Sequence, residues 1–242
     1  MKLACKIFGQ GSSRGDVILI HGTGARAEMW MPQIKLLEDE GWRAIVPDLR
    51  GHGESEEPGL DTNIDSHLED LFETFGDLQI DWPAIFVGHS LGSIISIELA
   101  ARRPELVSMI LAASLPGRVP KITVEAFRLF LGMPYRALKN SPIHRSLGWR
   151  EKVLMDTNHH SLKQVVENFH ELDYVSELPE LQCPVHFVVG RLDPIAPALH
   201  VETMHKNLPG STLKIIDWAG HNCMDSQPEE FNRWFLEKMN SK

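Results

Sequence analysis

A serine stands between two glycines in the segment Gly88-His89-Ser90-Leu91-Gly92, which joins two apolar stretches of different character. The preceding residues 84–87 are typical of a buried strand, and the residues that follow, up to Arg102, are typical of a helix. A turn this tight forces an unfavourable backbone angle on Ser90 and lifts its hydroxyl above the edge of the sheet. A free serine hydroxyl is a poor nucleophile near neutral pH, so the chain must also supply a base and an orienting acid.

A histidine and an aspartate follow the ends of two later predicted strands. His221 comes just after the last of these strands, and Asp193 comes just after the one before it. We predict that His221 takes the proton of Ser90 and later protonates the leaving group, while Asp193 fixes the tautomer of the imidazole. Asp217 is the rival acid, but it lies only four residues before His221 and is less well placed to reach across.

Acyl transfer also needs two backbone N–H groups, which stabilise the oxygen on which negative charge develops. Leu91 follows the serine at the start of a helix, so its N–H is predicted to be one of them. The second is expected in the loop after Ile20, where we assign it to Thr23, with Gly24 as the neighbouring alternative.

Together these motifs resemble the α/β-hydrolase superfamily, in particular its branch of serine esterases with a small helical lid. The resemblance covers nearly the whole chain and rests on His21-Gly22, the segment 48–55, the segment 88–92, Asp193 and His221. In that family the segment 48–55 is a structural turn, and the triad follows the chain order serine, aspartate, histidine. The resemblance implies a carboxylic ester or thioester hydrolase that works through an acyl-Ser90 intermediate, with no cofactor and no metal. One departure is Ser93, which stands where the family often has a further glycine.

Short apolar stretches alternate with helical ones, which predicts an α/β fold: a mostly parallel sheet with helices on both faces. The predicted strands cover residues 3–8, 16–20, 44–47, 84–87, 106–112, 184–189 and 212–216. Residues 116–179 lack a convincing strand and contain helical pieces at 124–131 and 162–169. We therefore predict a core formed by residues 1–115 and 180–242, with residues 116–179 inserted as a helical lid.

The predicted lid is basic, although the chain as a whole is acidic. Residues 117–163 carry nine lysines and arginines against three acidic residues, whereas the net charge of the chain is −9. Such a lid would steer an anionic acyl group or an acidic carrier protein towards the site, although ordinary solvated surface is the plainer interpretation. Seven of its side chains are candidates for the apolar roof of the pocket: Phe127, Leu129, Phe130, Leu131, Met133, Tyr135 and Trp149.

The net charge, the cysteine count and the length of the apolar stretches indicate which partners and which compartment to expect. The acidic balance argues against binding to nucleic acid, whose phosphates are bound by lysine and arginine. An odd number of cysteines, Cys5, Cys183 and Cys223, suggests a reducing compartment. No apolar stretch reaches the roughly 18 residues that span a bilayer. We therefore expect a soluble, cytoplasmic protein that acts on a small-molecule ester and has no membrane partner.

Two neighbours of the predicted triad are expected to be structural. The side chain of His89 should point into the packing between helix and sheet. Cys223 is expected to be a small packing residue, because nothing close to it in sequence lowers the pKa of its thiol.

Other functions stay open beside ester hydrolysis. The same triad serves cofactor-free haloperoxidases or perhydrolases and carbon–carbon bond hydrolases or lyases, and a hydrolase fold can also be a catalytically silent ligand receptor. The segment 22–27 fits G-x-G-x-x-A, with Asp48 at the end of the next strand, which is typical of a dinucleotide site. That interpretation leaves Ser90, Asp193 and His221 unexplained, so ester hydrolysis is the leading hypothesis.

Overall fold

The computed structural model describes residues 1–12, 14–56, 62–168 and 172–241. Within them a seven-stranded sheet has the order β1-β3-β2-β4-β5-β6-β7. Its strands are β1 (Cys5–Phe8), β2 (Asp16–Ile20), β3 (Arg43–Pro47), β4 (Ala84–His89), β5 (Val107–Ala113), β6 (Val185–Gly190) and β7 (Thr212–Ile216). The edge strand β1 runs antiparallel to β3, and all the other neighbouring strands pair in parallel.

Ten α-helices surround the sheet in the described parts of the chain. They are α1 (Met31–Asp39), α2 (Ile64–Gly76), α3 (Leu91–Arg102), α4 (Lys121–Phe130), α5 (Met133–Lys139), α6 (Trp149–Asp156), α7 (His159–Asn168), α8 (Ala198–Asn207), α9 (Cys223–Ser226) and α10 (Pro228–Asn240). Short 3₁₀ helices cover Ala27–Trp30, Pro104–Leu106 and Pro142–Ser146. No helix among the described residues is both long enough and apolar enough to cross a bilayer.

Alternate side chains of the central strands pack into two separate cores. Ile18 and Ile20 of β2 belong to a core that includes residues of α2, α3 and α8. Val17 and Leu19 of the same strand belong to the opposite core, with residues of α1 and α10. A strand that is buried on both faces has a continuous apolar sequence, as these residues do. The predicted α/β fold, with a mostly parallel sheet covered on both faces, is confirmed.

The parallel arrangement brings the chemically interesting loops to one edge of the sheet. The strands β2, β4, β5, β6 and β7 run in the same direction, so their carboxyl ends lie side by side. Ser90 follows β4 directly, Asp193 follows β6, and His221 lies in the loop after β7. Crevices at this edge are where ligands bind in open parallel sheets.

Among the described residues, four α-helices, α4 to α7, lie between β5 and β6. They have a small apolar cluster of their own, which includes Val124, Tyr135 and Leu162. The predicted pieces at 124–131 and 162–169 correspond to α4 and α7, although Phe169 lies outside the described residues. Helices α5 and α6 were not anticipated from the sequence. We call residues 121–168 the insertion; its role as a lid stays a prediction.

Candidate active site

Ser90 sits at the apex of a strained turn between β4 and α3. Its backbone angles are φ 51° and ψ −114°, a combination rarely adopted by a residue with a side chain. Its N–H donates to the carbonyl oxygen of Ala113 at 2.9 Å, which ties the turn to the end of β5. A Cβ on Gly92 would lie 2.1 Å from the carbonyl oxygen of Ile20, so only glycine lets α3 begin this close to β2.

The hydroxyl of Ser93 reinforces the same turn. This residue is buried, and its Oγ donates to the carbonyl oxygens of Gly88 at 2.8 Å and Ala113 at 3.0 Å. A glycine at this position would leave both acceptors without that donor. The departure from the family's usual sequence therefore adds a link between α3 and the two strands beneath it.

Asp193 and His221 are hydrogen-bonded to each other. The Nδ1–H of His221 donates to the two carboxylate oxygens of Asp193 at 3.0 and 2.9 Å. The Asp193 side chain is fully buried, and its Oδ1 also accepts from the N–H groups of Ile195 and Ala196, each at 2.9 Å. These backbone bonds hold the carboxylate in place.

The rival acid lies elsewhere. Asp217 is 63% exposed and forms an ion pair with the guanidinium of Arg191. Because it is solvated and already paired, it is not available to orient His221. The structure therefore favours Asp193 over Asp217 as the partner of the histidine.

Ser90 and His221 line one cavity of about 470 Å³. No hydrogen bond joins the Oγ of Ser90 to the imidazole of His221, both of which lie in the described part of the chain. Contacts of this kind are often long in a protein without substrate and tighten once substrate is bound. The structure thus brings all three predicted residues together, and it forms the aspartate–histidine contact.

The backbone of His221 is held by two donors that the sequence analysis missed. Its carbonyl oxygen accepts from Ser114 Oγ at 2.8 Å and from His89 Nε2 at 3.0 Å. Ser114 has a φ of 50° and is buried directly after β5. The expectation that His89 points into the packing between helix and sheet is wrong, because its ring lies 5.0 Å from that of His221 and lines the cavity.

One signal in the sequence could have identified Ser114. Like Ser90, it is a polar residue directly after an apolar strand that ends at the edge of the sheet where the candidate site lies. The sequence holds no comparable signal for His89. The alternation of side chains along β4 does not show which residue of a distant loop the His89 ring contacts.

Of the two candidate N–H donors in the loop after β2, that of Gly24 is already used and that of Thr23 is available. Gly24 N–H donates to Nε2 of His52 at 3.0 Å, and Nδ1 of His52 donates to the carbonyl oxygen of Arg50 at 2.9 Å. Gly24 is therefore excluded as the alternative donor to an oxyanion. The N–H groups of Thr23 and Leu91 have no hydrogen-bond partner among the described residues.

Two buried histidines support this loop in their neutral form. His21 donates from Nδ1 to the carbonyl oxygen of Gly22 at 2.8 Å and accepts at Nε2 from the N–H of Leu49 at 2.9 Å. Burial lowers the pKa of His21 to about 4 and that of His52 to about 3. Each ring can therefore donate with one nitrogen and accept with the other at neutral pH.

Asp48 is a structural residue of the turn and not a ribose ligand. Its Oδ1 accepts from the N–H of Ala27 at 2.7 Å, and its Oδ2 accepts from the N–H of Glu54 at 2.9 Å. The backbone oxygen of Asp48 accepts from Ser55 Oγ at 2.6 Å. These contacts occupy the carboxylate that a dinucleotide site would need, so that interpretation of the segment 22–27 fails.

The insertion lines the cavity with fewer of the predicted residues than expected. Phe127 and Phe130 line it, and other lining side chains of the insertion are Thr123, Val124, Ala126, Arg150, Glu151 and Leu154. Leu129 and Met133 are 73% and 84% exposed, so their prediction as roof residues is wrong. Helix α4 turns residues 124, 127 and 130 inward, and residue 129 consequently faces outward.

The remaining three predicted roof residues lie outside the cavity. Leu131 and Tyr135 are buried in the insertion's own cluster, where the hydroxyl of Tyr135 donates to the carbonyl oxygen of Met155 at 2.9 Å. Trp149 is 42% exposed, and the guanidinium carbon of Arg150 lies 5.5 Å from the centre of its ring. Leu131 and Tyr135 therefore pack within the insertion, and none of the three side chains lines the cavity.

A larger cavity of about 700 Å³ lies between α2, α3 and α7. Leu91 lines it, but Ser90, Asp193 and His221 do not. The predicted nucleophile and base therefore lie at the smaller cavity. Cys223 is buried next to Ser114, and burial raises the pKa of its thiol to about 12, which fits the expected packing role.

The basic charge of residues 117–163 is divided between ion pairs and unpaired surface side chains. Arg118, Arg128 and Arg150 pair with Asp173, Glu125 and Asp225. Exposed cations such as Arg145 have no ion-pair partner among the described residues. The binding of an anionic acyl group or an acidic carrier protein to this surface stays a prediction.

One protein family and several solved structures are similar to this chain. A model described as the Alpha/beta hydrolase family matches residues 17–234. An enol-lactonase from Burkholderia xenovorans LB400 is similar in structure, with a TM-score of 0.86 and 20% identity over 99% of this chain and 96% of that one. An esterase from Exiguobacterium antarcticum has a TM-score of 0.85 and 20% identity over 99% and 96%. A bromoperoxidase from Bacillus anthracis has a TM-score of 0.85 and 19% identity over 98% and 95%. These likenesses show a shared fold, and the match to the family model shows that the chain belongs to the alpha/beta hydrolase family.

Proposed function

We propose that the protein is a serine hydrolase that cleaves carboxylic esters or thioesters through an acyl-Ser90 intermediate. The observation that carries the proposal is the contact of His221 with the fully buried carboxylate of Asp193, at the cavity that holds the strained Ser90. A nucleophile, a base and an orienting acid at one cavity are the parts that acyl transfer requires.

The proposed reaction begins with a proton transfer. Because Asp193 accepts the Nδ1 proton of His221, the Nε2 atom is left unprotonated and can take the hydroxyl proton of Ser90. The serine oxygen then forms a bond to the carbonyl carbon, and the carbonyl electron pair moves onto its oxygen. His221 returns the proton to the leaving alcohol or thiol as the tetrahedral intermediate collapses, which leaves the acyl group on Ser90. Water repeats the sequence and releases the acid.

The oxyanion of each intermediate would be stabilised by the N–H groups of Thr23 and Leu91. Neither group has a hydrogen-bond partner in the part of the chain that the structure describes, whereas the neighbouring N–H of Gly24 donates to His52. The N–H of Leu91 also lies at the first residue of α3, where the helix dipole favours a negative charge. Loss of one such donor typically costs about 100- to 1,000-fold in kcat.

The cavity supports a substrate with a small or medium apolar part. Its walls are largely apolar side chains, among them Val119, Val124, Phe127, Phe130, Leu154 and Ile195. Its volume of about 470 Å³ lies in the range of pockets for small molecules.

The proposal is tested with p-nitrophenyl acetate and butyrate, a thioester and a lactone, together with bromination assays in acetate and hydrogen peroxide. We expect turnover of esters that falls by about 1,000-fold or more in Ser90→Ala. The control is Ser96→Ala, a buried serine of the same helix whose hydroxyl bonds the carbonyl oxygen of Gly92 away from the cavity. Bromination without ester turnover would favour the haloperoxidase alternative, and ester turnover retained in Ser90→Ala would refute the proposal.

A further inference from the structure

One guanidinium of the insertion reaches the candidate active site. Arg150 lies near the start of α6 and lines the cavity that also holds Ser90 and His221. Its Nε donates to the carboxylate of Asp225, and its Nη1 lies 3.8 Å from the sulfur of Met29. Its Nη2 is buried and has no hydrogen-bond partner among the described residues. A charged donor is therefore present at the cavity without an acceptor.

A buried and unpartnered guanidinium nitrogen requires an explanation. Arginine stays protonated in proteins, and a buried donor without an acceptor is costly, so most such groups are paired. Burial lowers the pKa of His21 and His89, and the positive charge of Arg150 lowers both further, which places that charge near the loops around Ser90. The guanidinium also stacks near the ring of Trp149, a contact that restricts its orientation.

Three acidic side chains lie near the cavity, but none of them accepts a hydrogen bond from Nη2 of Arg150. Asp225 is engaged with the Nε side of the guanidinium, and Asp193 is occupied by His221 and two backbone N–H groups. Glu151 also lines the cavity, but it is exposed, and water screens an exposed charge. The Nη2 group can therefore donate a hydrogen bond to an anionic oxygen of a bound molecule.

We infer that Arg150 determines specificity by binding a carboxylate carried by the ester substrate, an inference that rests on the proposed function. The carboxylate can belong to the acyl part, as in a monoester of a dicarboxylic acid, or to the leaving group. A guanidinium presents donors in a planar fork that matches a carboxylate, so the contact fixes orientation as well as charge. The substrate would supply the acceptor that the protein lacks.

The experiment compares charged esters with neutral esters of the same shape. Mono-p-nitrophenyl succinate, glutarate and adipate are each measured against the ester whose free carboxylate is replaced by a primary amide. For the leaving group, 3-carboxy-4-nitrophenyl butyrate is measured against 3-carbamoyl-4-nitrophenyl butyrate. Hydrolysis without protein is subtracted, because dicarboxylic monoesters also react by themselves. The pair with the larger ratio of kcat/KM identifies which end of the substrate carries the carboxylate.

We expect the wild type to prefer the carboxylate in at least one pair by about 10- to 100-fold, the range of a hydrogen bond to a charged group. Arg150→Gln should reduce that ratio to about one, and Arg150→Lys should retain part of it. Arg145→Gln removes the same charge from an exposed position of the insertion and should leave the ratio unchanged. Circular dichroism checks that each variant is folded.

The two proposals fail in different ways. A wild-type ratio of one or less in every pair would overturn the role of Arg150 even if Arg150→Gln did not fold. A preference for the carboxylate ester that persists in folded Arg150→Gln would also overturn the role of Arg150. Neutral amide esters that are still hydrolysed by Ser90→Ala would instead overturn the proposed function.

Discussion

The imidazole of His221 is held by the carboxylate of Asp193. Its Nδ1 atom lies 3.0 and 2.9 Å from the two buried carboxylate oxygens, and Oδ1 also accepts two backbone N–H groups. A carboxylate fixed in this way selects the tautomer in which Nε2 is free to act as a base. This relationship predicts which acid the reaction needs.

Asp193→Asn is expected to lower kcat for p-nitrophenyl butyrate by about 10,000-fold, because an amide can stabilise the wrong tautomer and carries no charge. Asp217→Asn is the matched control, since Asp217 lies in the same region of the chain but pairs with Arg191 at the surface. It should change kcat by less than about threefold. A larger loss in Asp217→Asn than in Asp193→Asn would contradict the assignment.

Ser114 is predicted to be a positioning residue for His221. Its hydroxyl is one of two donors to the carbonyl oxygen of His221. Ser114→Gly removes the hydroxyl but tolerates the positive φ, so it should lower kcat by about tenfold with a smaller change in KM. Ser114→Ala removes the same hydroxyl but keeps the strain of a Cβ at positive φ, so its Tm should be lower than that of Ser114→Gly.

A purely structural role for Ser114 would give a different result. Ser114→Gly would then lower the Tm while leaving kcat and its pH profile as in the wild type. Steady-state kinetics from pH 5.5 to 9, together with thermal unfolding, separate the two outcomes.

Stability is predicted to fall below about pH 6.5, the ordinary pKa of histidine. Burial lowers the pKa of His21 to about 4 and of His52 to about 3, and it lowers the pKa of His67 and His89 well below the ordinary value. Between the ordinary pKa of histidine and the lowered pKa values of the folded protein, the unfolded chain binds protons that the folded protein does not. The free energy of unfolding therefore decreases as the pH falls. Each such group contributes up to about 1.4 kcal/mol per pH unit.

Urea unfolding at pH 7.5, 6.5 and 5.5 measures this effect. Neither ring nitrogen of His67 has a hydrogen-bond partner among the described residues, so His67→Leu loses no hydrogen bond there. We expect it to keep or raise the stability at pH 7.5 and to reduce the slope between pH 6.5 and 5.5 by up to about one proton. A wild-type stability that does not change over this range would contradict the prediction.

The acyl chain is predicted to lie against Phe127. This side chain lines the cavity, whereas Leu129 of the same helix is 73% exposed. Phe127→Ala enlarges the cavity and should shift the preferred p-nitrophenyl ester towards longer acyl chains. Leu129→Ala should leave the chain-length profile unchanged. An equal shift in both variants would mean that the insertion acts on the substrate only indirectly.

The sequence predicts the core of this fold well because buried parallel strands are continuous apolar runs. Residues 16–20 and 212–216 were predicted as strands and coincide with β2 and β7. The positions of Ser90, Asp193 and His221 could be proposed from the same pattern, since each follows the end of a strand and those ends share one edge. In a parallel sheet, the apolar pattern that predicts the strands therefore also predicts the edge at which the candidate site lies.

The insertion is less predictable for a physical reason. Val153 and Met155 are the buried residues of α6, and a spacing of two residues does not follow the period of a helix facing a single surface. Phe127 faces the cavity and Leu129 faces solvent because of how α4 is oriented on the core. The sequence of a short amphipathic helix does not determine that orientation. The contact of Ser114 with His221 joins residues 107 positions apart, which no local pattern reports.

The most direct test of the central claim is the site at which a serine-reactive fluorophosphonate attaches. Intact mass and peptide mapping should find one adduct, located on Ser90, and ester turnover should decline in step with its formation. Ser90→Ala should remain unlabelled. An adduct at another residue, or full ester turnover in a protein that carries the adduct on Ser90, would contradict the account.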